Sequence, residues 1–143
     1  MFRTIDSQFF AAPQIALEDV AEAKAMGIGF IVNNRPDGEE PDAPQSADME
    51  AAAAAAGLGY AYIPVTHSGF SMSQLDALEK VIAEADAPVL GYCRSGTRST
   101  LLWALTRARM GDDCDALAEK AAQGGYDLSP VRAMMDALAG GQR

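Results

Sequence analysis

Gly91-Tyr92-Cys93-Arg94-Ser95-Gly96-Thr97-Arg98-Ser99 decides the fold of this chain, because it joins a short apolar strand to a long apolar helix through a loop that carries a thiol. On the N-terminal side, Pro88-Val89-Leu90-Gly91-Tyr92 is an apolar run after a turn signal and reads as a buried strand. On the C-terminal side, Ser99 to Met110 carries Leu101, Leu102, Trp103, Leu105 and Met110 with no Gly or Pro before Gly111, and reads as a helix with a wide apolar face. The loop therefore leads into a helix N-terminus. Unpaired backbone N–H groups and the positive end of the helix dipole meet there, and they favour an anion, either a thiolate or a bound oxyanion.

The residue types in the loop suit that setting. Gly96 lets the backbone turn inward. Thr97 and Ser99 offer hydroxyl donors, and Ser95 completes the anion-binding loop. Arg98 presents a guanidinium fork matched to oxyanions, and Arg94 makes an outer contact. A lone cysteine at a strand end packs most often as a small hydrophobe. Cys-x-x-Gly-x-Arg-Ser at the start of a helix goes beyond what packing needs, so Cys93 is the candidate nucleophile and Arg98 its catalytic partner.

The chain of 143 residues suits one domain with its own core, spanning 1–143. A formal net charge of −9 argues against a nucleic-acid or anionic-membrane partner and makes the two loop arginines conspicuous. No basic-then-apolar N-terminal signal and no membrane-length apolar run occur in the sequence, so a cytoplasmic protein is expected. Cys93 and Cys114 form neither a disulfide framework nor the paired spacing of a zinc site, and no metal or cofactor is expected. Cys114 shares a helical face with Leu117, Ala118 and Ala121, so packing explains it.

Outward from the loop, strands alternate with helices. Phe2 to Ile5 and Gln8 to Ala11 read as short strands. Ala16 to Met26, with Leu17, Val20 and Ala21 inward, reads as a helix closed by Gly27. Ile28 to Val32 is a strand that opens into the turn-rich Asn33-Asn34-Arg35-Pro36-Asp37-Gly38-Glu39-Glu40. Ser46 caps a helix running to Ala56 before Gly57, and Gly59 to Val65 is a strand. Ser71-Met72-Ser73-Gln74 has the form of a capping box, and Leu75, Leu78 and Ile82 carry its helix toward Ala85. After the loop helix come Asp112 to Gln123 and a last helix from Ser129-Pro130, with Val131, Met134, Met135 and Leu138 as its apolar stripe. This order predicts a three-layer α/β domain with a mostly parallel central sheet flanked by helices and a site at the carboxyl ends of its strands.

Phe30-Ile31-Val32-Asn33-Asn34-Arg35-Pro36-Asp37-Gly38-Glu39, Tyr62-Ile63-Pro64-Val65, Cys93 to Ser99 with Leu102-Trp103-Ala104-Leu105, and Gly125-Tyr126-Asp127-Leu128 together resemble the bacterial beta-lactamase-hydrolase-like, phosphatase-like domain family, also described as a sulfur transferase family. The resemblance implies a fold similar to dual-specificity protein tyrosine phosphatases. It also implies a possible partner, since some such domains are fused to persulfide-oxidising metallo-hydrolases.

Two departures weigh on the chemistry. Tyrosine-phosphatase-like enzymes place five residues between Cys and Arg, whereas Cys93 and Arg98 enclose four, as in the rhodanese-like pattern. Each residue adds at most roughly 3.3–3.6 Å of reach, so the shorter loop is expected to form a tight ring better suited to a persulfide sulfur than to a tetrahedral phosphate. Dual-specificity phosphatases also place an acidic Asp after a strand like Tyr62 to Val65, and here Thr66-His67-Ser68-Gly69 follows it. His67 stands near that position as an acid or substrate contact, with an exposed loop histidine as the equal alternative. Arg35 either reaches the anion pocket or pairs with Asp37 or Glu39 to hold its loop closed, the second being favoured, and Asp76 lies too far into its helix to act as an acid.

The leading expectation is therefore a rhodanese-like sulfurtransferase, in which Cys93 takes a sulfane sulfur from thiosulfate or a small persulfide and passes it to a thiol acceptor. The alternative is a phosphatase of the same fold acting through a Cys93 phosphocysteine, and a third reading is a non-catalytic anion-binding module. All three take a small anionic ligand at Cys93.

Overall fold

In the computed structural model, which describes residues 2–140, a five-stranded sheet lies between two layers of helices. The strands are β1 (Arg3–Thr4), β2 (Phe9–Ala12), β3 (Phe30–Asn33), β4 (Gly59–Tyr62) and β5 (Val89–Tyr92). The helices are α1 (Asp19–Ala25), α2 (Ser46–Ala56), α3 (Met72–Glu84), α4 (Thr97–Arg109), α5 (Cys114–Gln123) and α6 (Arg132–Gly140), with a 3-10 turn at Ser129–Val131 before α6. The strand order is β1-β2-β5-β3-β4, with β1 antiparallel to β2 and the other pairings parallel. The expected mostly parallel, three-layer α/β architecture is what the chain forms.

β5 occupies the centre for the reason its sequence suggests. All of Val89, Leu90, Gly91 and Tyr92 are buried, as befits a strand covered by helices on both faces. Tyr92 lies level with Ala12 of β2 and Asn33 of β3, so three neighbouring strands end together. The segments that leave them at Pro13-Gln14, Asn34-Arg35 and Cys93 share one edge of the sheet, where open α/β sheets bind ligands.

On one face, Val20 and Ala23 of α1 and Met49 and Ala53 of α2 form a cluster with Ile31, Leu90 and Tyr92. On the other, α4 packs on the sheet and is surrounded by α3, α5 and α6. Residues Ser99 to Thr106 of α4 are all buried, which identifies it as the central helix of that layer. Its Trp103 stacks on Phe9 of β2 with ring centroids 5.5 Å apart. The helix that follows Cys93 is thus held by the core along most of its length, and its N-terminus is held with it.

Most element boundaries move by one to three residues, and three differences have physical causes. α1 starts at Asp19, after a turn in which the Asp19 N–H donates to the Ala16 carbonyl and its carboxylate accepts the Ala16 N–H at 2.7 Å. Leu17 consequently lies outside the helix and is 41% exposed, and the inward residues are Val20 and Ala23, with Ala21 exposed. α2 is capped by Gln45 in a box with Asp48, not by Ser46, whose N–H is taken by Asp37. The β4 ladder stops at Tyr62, although the Ile63 and Val65 N–H groups still donate to the Asn33 and Asn34 carbonyls. Ser71 and Gln74 do form the expected reciprocal capping box.

Among the described residues, the hydroxyl of Tyr92 is the buried side-chain polar atom with no hydrogen-bond partner. Burial pushes its phenol well above the ordinary range. An unsatisfied buried hydroxyl costs about 1–3 kcal/mol, so Tyr92→Phe is expected to leave stability unchanged or raise it by about 1 kcal/mol in a urea melt. A loss of more than about 1 kcal/mol would mean that the hydroxyl has a partner in solution.

Candidate active site

The loop between β5 and α4 is built around two contacts. Cys93 is fully buried at the end of β5, and its Sγ accepts the Gly96 N–H at 3.1 Å. Gly96 takes a left-handed φ of 91° as the N-cap of α4, a conformation that costs a residue with a Cβ about 1–2 kcal/mol. A Cβ at Gly96 would also run into the Tyr126 hydroxyl, which donates to the Ser95 carbonyl at 3.0 Å. Only glycine fits there.

Inside that turn, backbone donors are left over. Among the described residues, the N–H groups of Arg94, Ser95, Arg98 and Ser99 meet no protein acceptor, and that of Thr97 reaches only Ser95 Oγ at 3.4 Å. These are the orphan donors of a helix N-terminus, and with the helix dipole they favour negative charge on the sulfur or on a bound oxyanion. The Ser95 and Thr97 hydroxyls bond each other at 3.0 Å, and the Thr100 hydroxyl holds the Gly96 carbonyl at 2.9 Å.

Arg98 projects from the first turn of α4. Its Nη1 donates to Glu39 Oε2 at 2.8 Å and to the Val65 carbonyl at 2.7 Å, and its Nη2 donates to Glu39 Oε1 at 2.6 Å. The hydrogen bond to Glu39, and after it the nearby Cys93, raise the Arg98 guanidinium above its ordinary value against the pull of burial. Glu39 also accepts Arg35 Nε at 2.8 Å. Arg98 above all, joined by Arg35, holds the Glu39 carboxyl down at about 2.

Arg35 thus has the structural role expected of it, pairing with Glu39 and reaching Gln14 Oε1 at 3.1 Å. Asp37 is occupied at the start of α2. Ser99 is engaged with Asn34, its hydroxyl donating to Asn34 Oδ1 at 2.7 Å, while Asn34 Nδ2 donates to the Ile63 carbonyl at 2.8 Å. This buried chain ties α4 to β3 and the segment after β4. Arg94 is exposed, and its carbonyl accepts the Gln14 N–H at 3.3 Å. His67 lies exposed in the turn that follows Val65. Asp76 pairs with Arg109 at 2.9 Å. Cys114 packs in the core, and burial together with Asp136 pushes its thiol up, the setting of an inert cysteine.

Sequence reasoning brought together Cys93, Arg98 and the intervening loop, but it assigned no site role to Gln14, Asn34 or Tyr126 and saw Glu39 only as a partner of Arg35. The one signal available was Asn33-Asn34, two amides at the end of an apolar strand, which demand buried hydrogen-bond partners. No helix among the described residues is long and apolar enough to cross a membrane.

A thiol at the end of a central parallel strand, beneath the N-terminus of a buried helix with an arginine in its first turn, defines a cysteine-phosphatase-like α/β domain. The phosphatase-like domain model of beta-lactamase hydrolase-like proteins matches residues 1–110, and the chain belongs to that family. It is 36% identical over 107 residues to the beta-lactamase hydrolase-like protein of Agrobacterium fabrum, covering 75% of this chain and 25% of that protein. The chain therefore spans about a quarter of the length of that relative. A Neisseria meningitidis protein named as a candidate phosphatase superposes with a TM-score of 0.81 at 32% identity, over 95% of this chain and 96% of its own. TpbA of P. aeruginosa, a serine variant solved with phosphotyrosine, shares the fold at a TM-score of 0.64 and 17% identity, over 96% of this chain and 86% of its own.

These likenesses overturn the expectation of sulfur transfer. Family and fold neighbours are phosphatase-like, and nothing among them points to a rhodanese sulfurtransferase. The thiosulfate or persulfide donor and the thiol acceptor of that reaction lose their basis with it. The inference from loop length fails for a physical reason. Arg98 is the second residue of α4, so the helix itself carries the guanidinium toward the thiol, and counting loop residues does not measure the room above the sulfur.

The Glu39 pairing has a consequence for acid stability. A carboxyl held at about 2, below its ordinary 4.5, stabilises the fold fully above its ordinary value, and that contribution fades as pH falls toward 2. The difference in melting temperature between wild type and Glu39→Gln should therefore be largest at neutral pH and shrink on acidification through this window. A difference independent of pH contradicts the pairing.

Proposed function

We propose that this domain hydrolyses phosphate monoesters, aryl esters foremost, through a phosphocysteine at Cys93. The observation that carries the reading is the set of unpaired N–H groups around Cys93, with the Arg98 guanidinium beside them, on a phosphatase-like fold. A phosphoryl group seated there has its oxygens among N–H donors and a guanidinium and its phosphorus over the sulfur, which is the positioning and charge stabilisation that phosphoryl transfer needs.

In the first step the Cys93 thiolate attacks phosphorus, an S–P bond forms, and the P–O bond to the leaving group breaks with its electron pair on oxygen. In the second, water attacks the phosphocysteine, inorganic phosphate leaves, and the thiolate returns. Arg98 and the loop amides hold the equatorial oxygens throughout, and Arg94 draws the anion in from the rim.

The leaving oxygen needs a proton in proportion to its basicity. Glu39, held at about 2, is ionised at neutral pH and has no proton to give. His67 stands in the turn that begins beside Val65, whose carbonyl binds Arg98, and we assign it as the proton donor. Phenols leave with far less help than alcohols, so a site without the usual Asp favours aryl phosphates. The two free cysteines and the need for a reduced nucleophile suit a cytoplasmic setting.

Turnover of p-nitrophenyl phosphate by the wild-type chain, abolished in Cys93→Ser, is the expected result. In His67→Gln, kcat should fall by about tenfold or more for an alkyl phosphate and change little for the nitrophenyl ester. Undiminished hydrolysis by Cys93→Ser rules out the nucleophile, and equal losses on both esters rule out His67 as the acid.

A further inference from the structure

A guanidinium has five N–H groups in three directions. In Arg98, Nη1 spends its two on Glu39 and the Val65 carbonyl, and Nη2 spends one on Glu39. Glu39 therefore takes the end edge of the guanidinium. What remains is the side edge, formed by Nε–H and the second Nη2–H, two parallel donors spaced for a pair of oxygens on one phosphoryl group. Cys93 lies close enough to help raise the Arg98 guanidinium, so the arginine stands near the thiol.

The choice of edge separates two roles for the acidic residue. A carboxylate that blocked the site would occupy the edge an incoming phosphate needs. Glu39 occupies the other one. It is itself held from behind, because its Oε1 also accepts Arg35 Nε at 2.8 Å and Arg35 Nη1 donates to Gln14 Oε1 at 3.1 Å. The Gln14 N–H returns to the Arg94 carbonyl at 3.3 Å. Gln14, Arg35, Glu39 and Arg98 thus form a closed circuit with the loop backbone, reaching across 59 positions of sequence between Glu39 and Arg98. Flanked by two arginines, the Glu39 side chain is 24% exposed, well enough screened from solvent for the brace to hold.

We infer that Glu39 is a positioning residue for the phosphatase reaction: by gripping the end edge of Arg98 it turns the side edge toward the phosphoryl group on Cys93. The inference rests on the phosphatase reading of the site, and its test has one readout that does not. Glu39→Gln keeps the shape and removes the charge, so one of the two bonds to Arg98 is lost and the guanidinium is released to rotate.

With p-nitrophenyl phosphate, Glu39→Gln should lose about tenfold or more in kcat, the scale of one misplaced charge-stabilising donor. Its KM should stay level or fall, because a negative charge beside the phosphate has gone. That split is not what general loosening produces, and an unchanged circular dichroism spectrum is the folding control. Independently of turnover, the Arg98 Nη–H resonances of 15N-labelled wild type, whose protons Glu39 holds, should be resolved and slow to exchange, and they should broaden or vanish in Glu39→Gln. A variant that keeps or raises kcat makes Glu39 a competitor of substrate and overturns the inference. An unaltered Arg98 resonance overturns it too. Absent turnover in the wild type refutes the phosphatase reading alone, with the Arg98 resonance still testing the brace.

Discussion

Gly96 is the constraint on which the site depends. A left-handed residue at φ 91° must stand between β5 and α4, with the Tyr126 hydroxyl filling the space a side chain would take. Because the backbone turns there, the Gly96 N–H reaches back to Cys93 Sγ, and among the described residues the Arg98 and Ser99 amides that follow are left without a protein acceptor. The turn persists because its two sides are immobile: β5 is buried in the centre of the sheet, and α4 is buried along most of its length. Sheet order, helix burial and loop geometry form one chain of causes.

Electrostatics completes what geometry begins. In a chain with a net charge of −9, positive potential at the loop must be made locally, from a helix N-terminus and from arginines held in place. Holding them requires a carboxylate, and a carboxylate near an anion site is costly unless it is turned aside. In the proposed role Glu39 meets both needs, because it takes only the end edge of the Arg98 guanidinium. The same pairing leaves Glu39 ionised at neutral pH, which removes it as an acid, and in the proposed reaction that task falls to His67 or to the leaving group itself.

Much of this was legible in the sequence because it is local. The apolar run before Cys93, the uninterrupted helix after it and the glycine between them identify strand, helix and anion site without long-range information. The Ser71–Gln74 capping box and the left-handed Gly57 that ends α2 were legible for the same reason. What escaped was non-local or a matter of competition. Nothing in Asn33 to Glu40 announces that Glu39 meets Arg98, and nothing near Ser99 announces that its hydroxyl answers Asn34. Gln45 took the capping position of α2 from Ser46, whose N–H went to Asp37. The cargo was misjudged because chain length was made to stand for the shape of a pocket, when a helix supplies part of that pocket.

The central claim is that Cys93 carries a phosphoryl group during turnover. Rapid acid quench of the enzyme with an aryl phosphate, followed by mass analysis of the peptide containing Cys93, tests it most directly. A transient phosphoryl adduct on Cys93, absent in Cys93→Ser, is the predicted result. Steady turnover in which that peptide never carries phosphate would contradict the account.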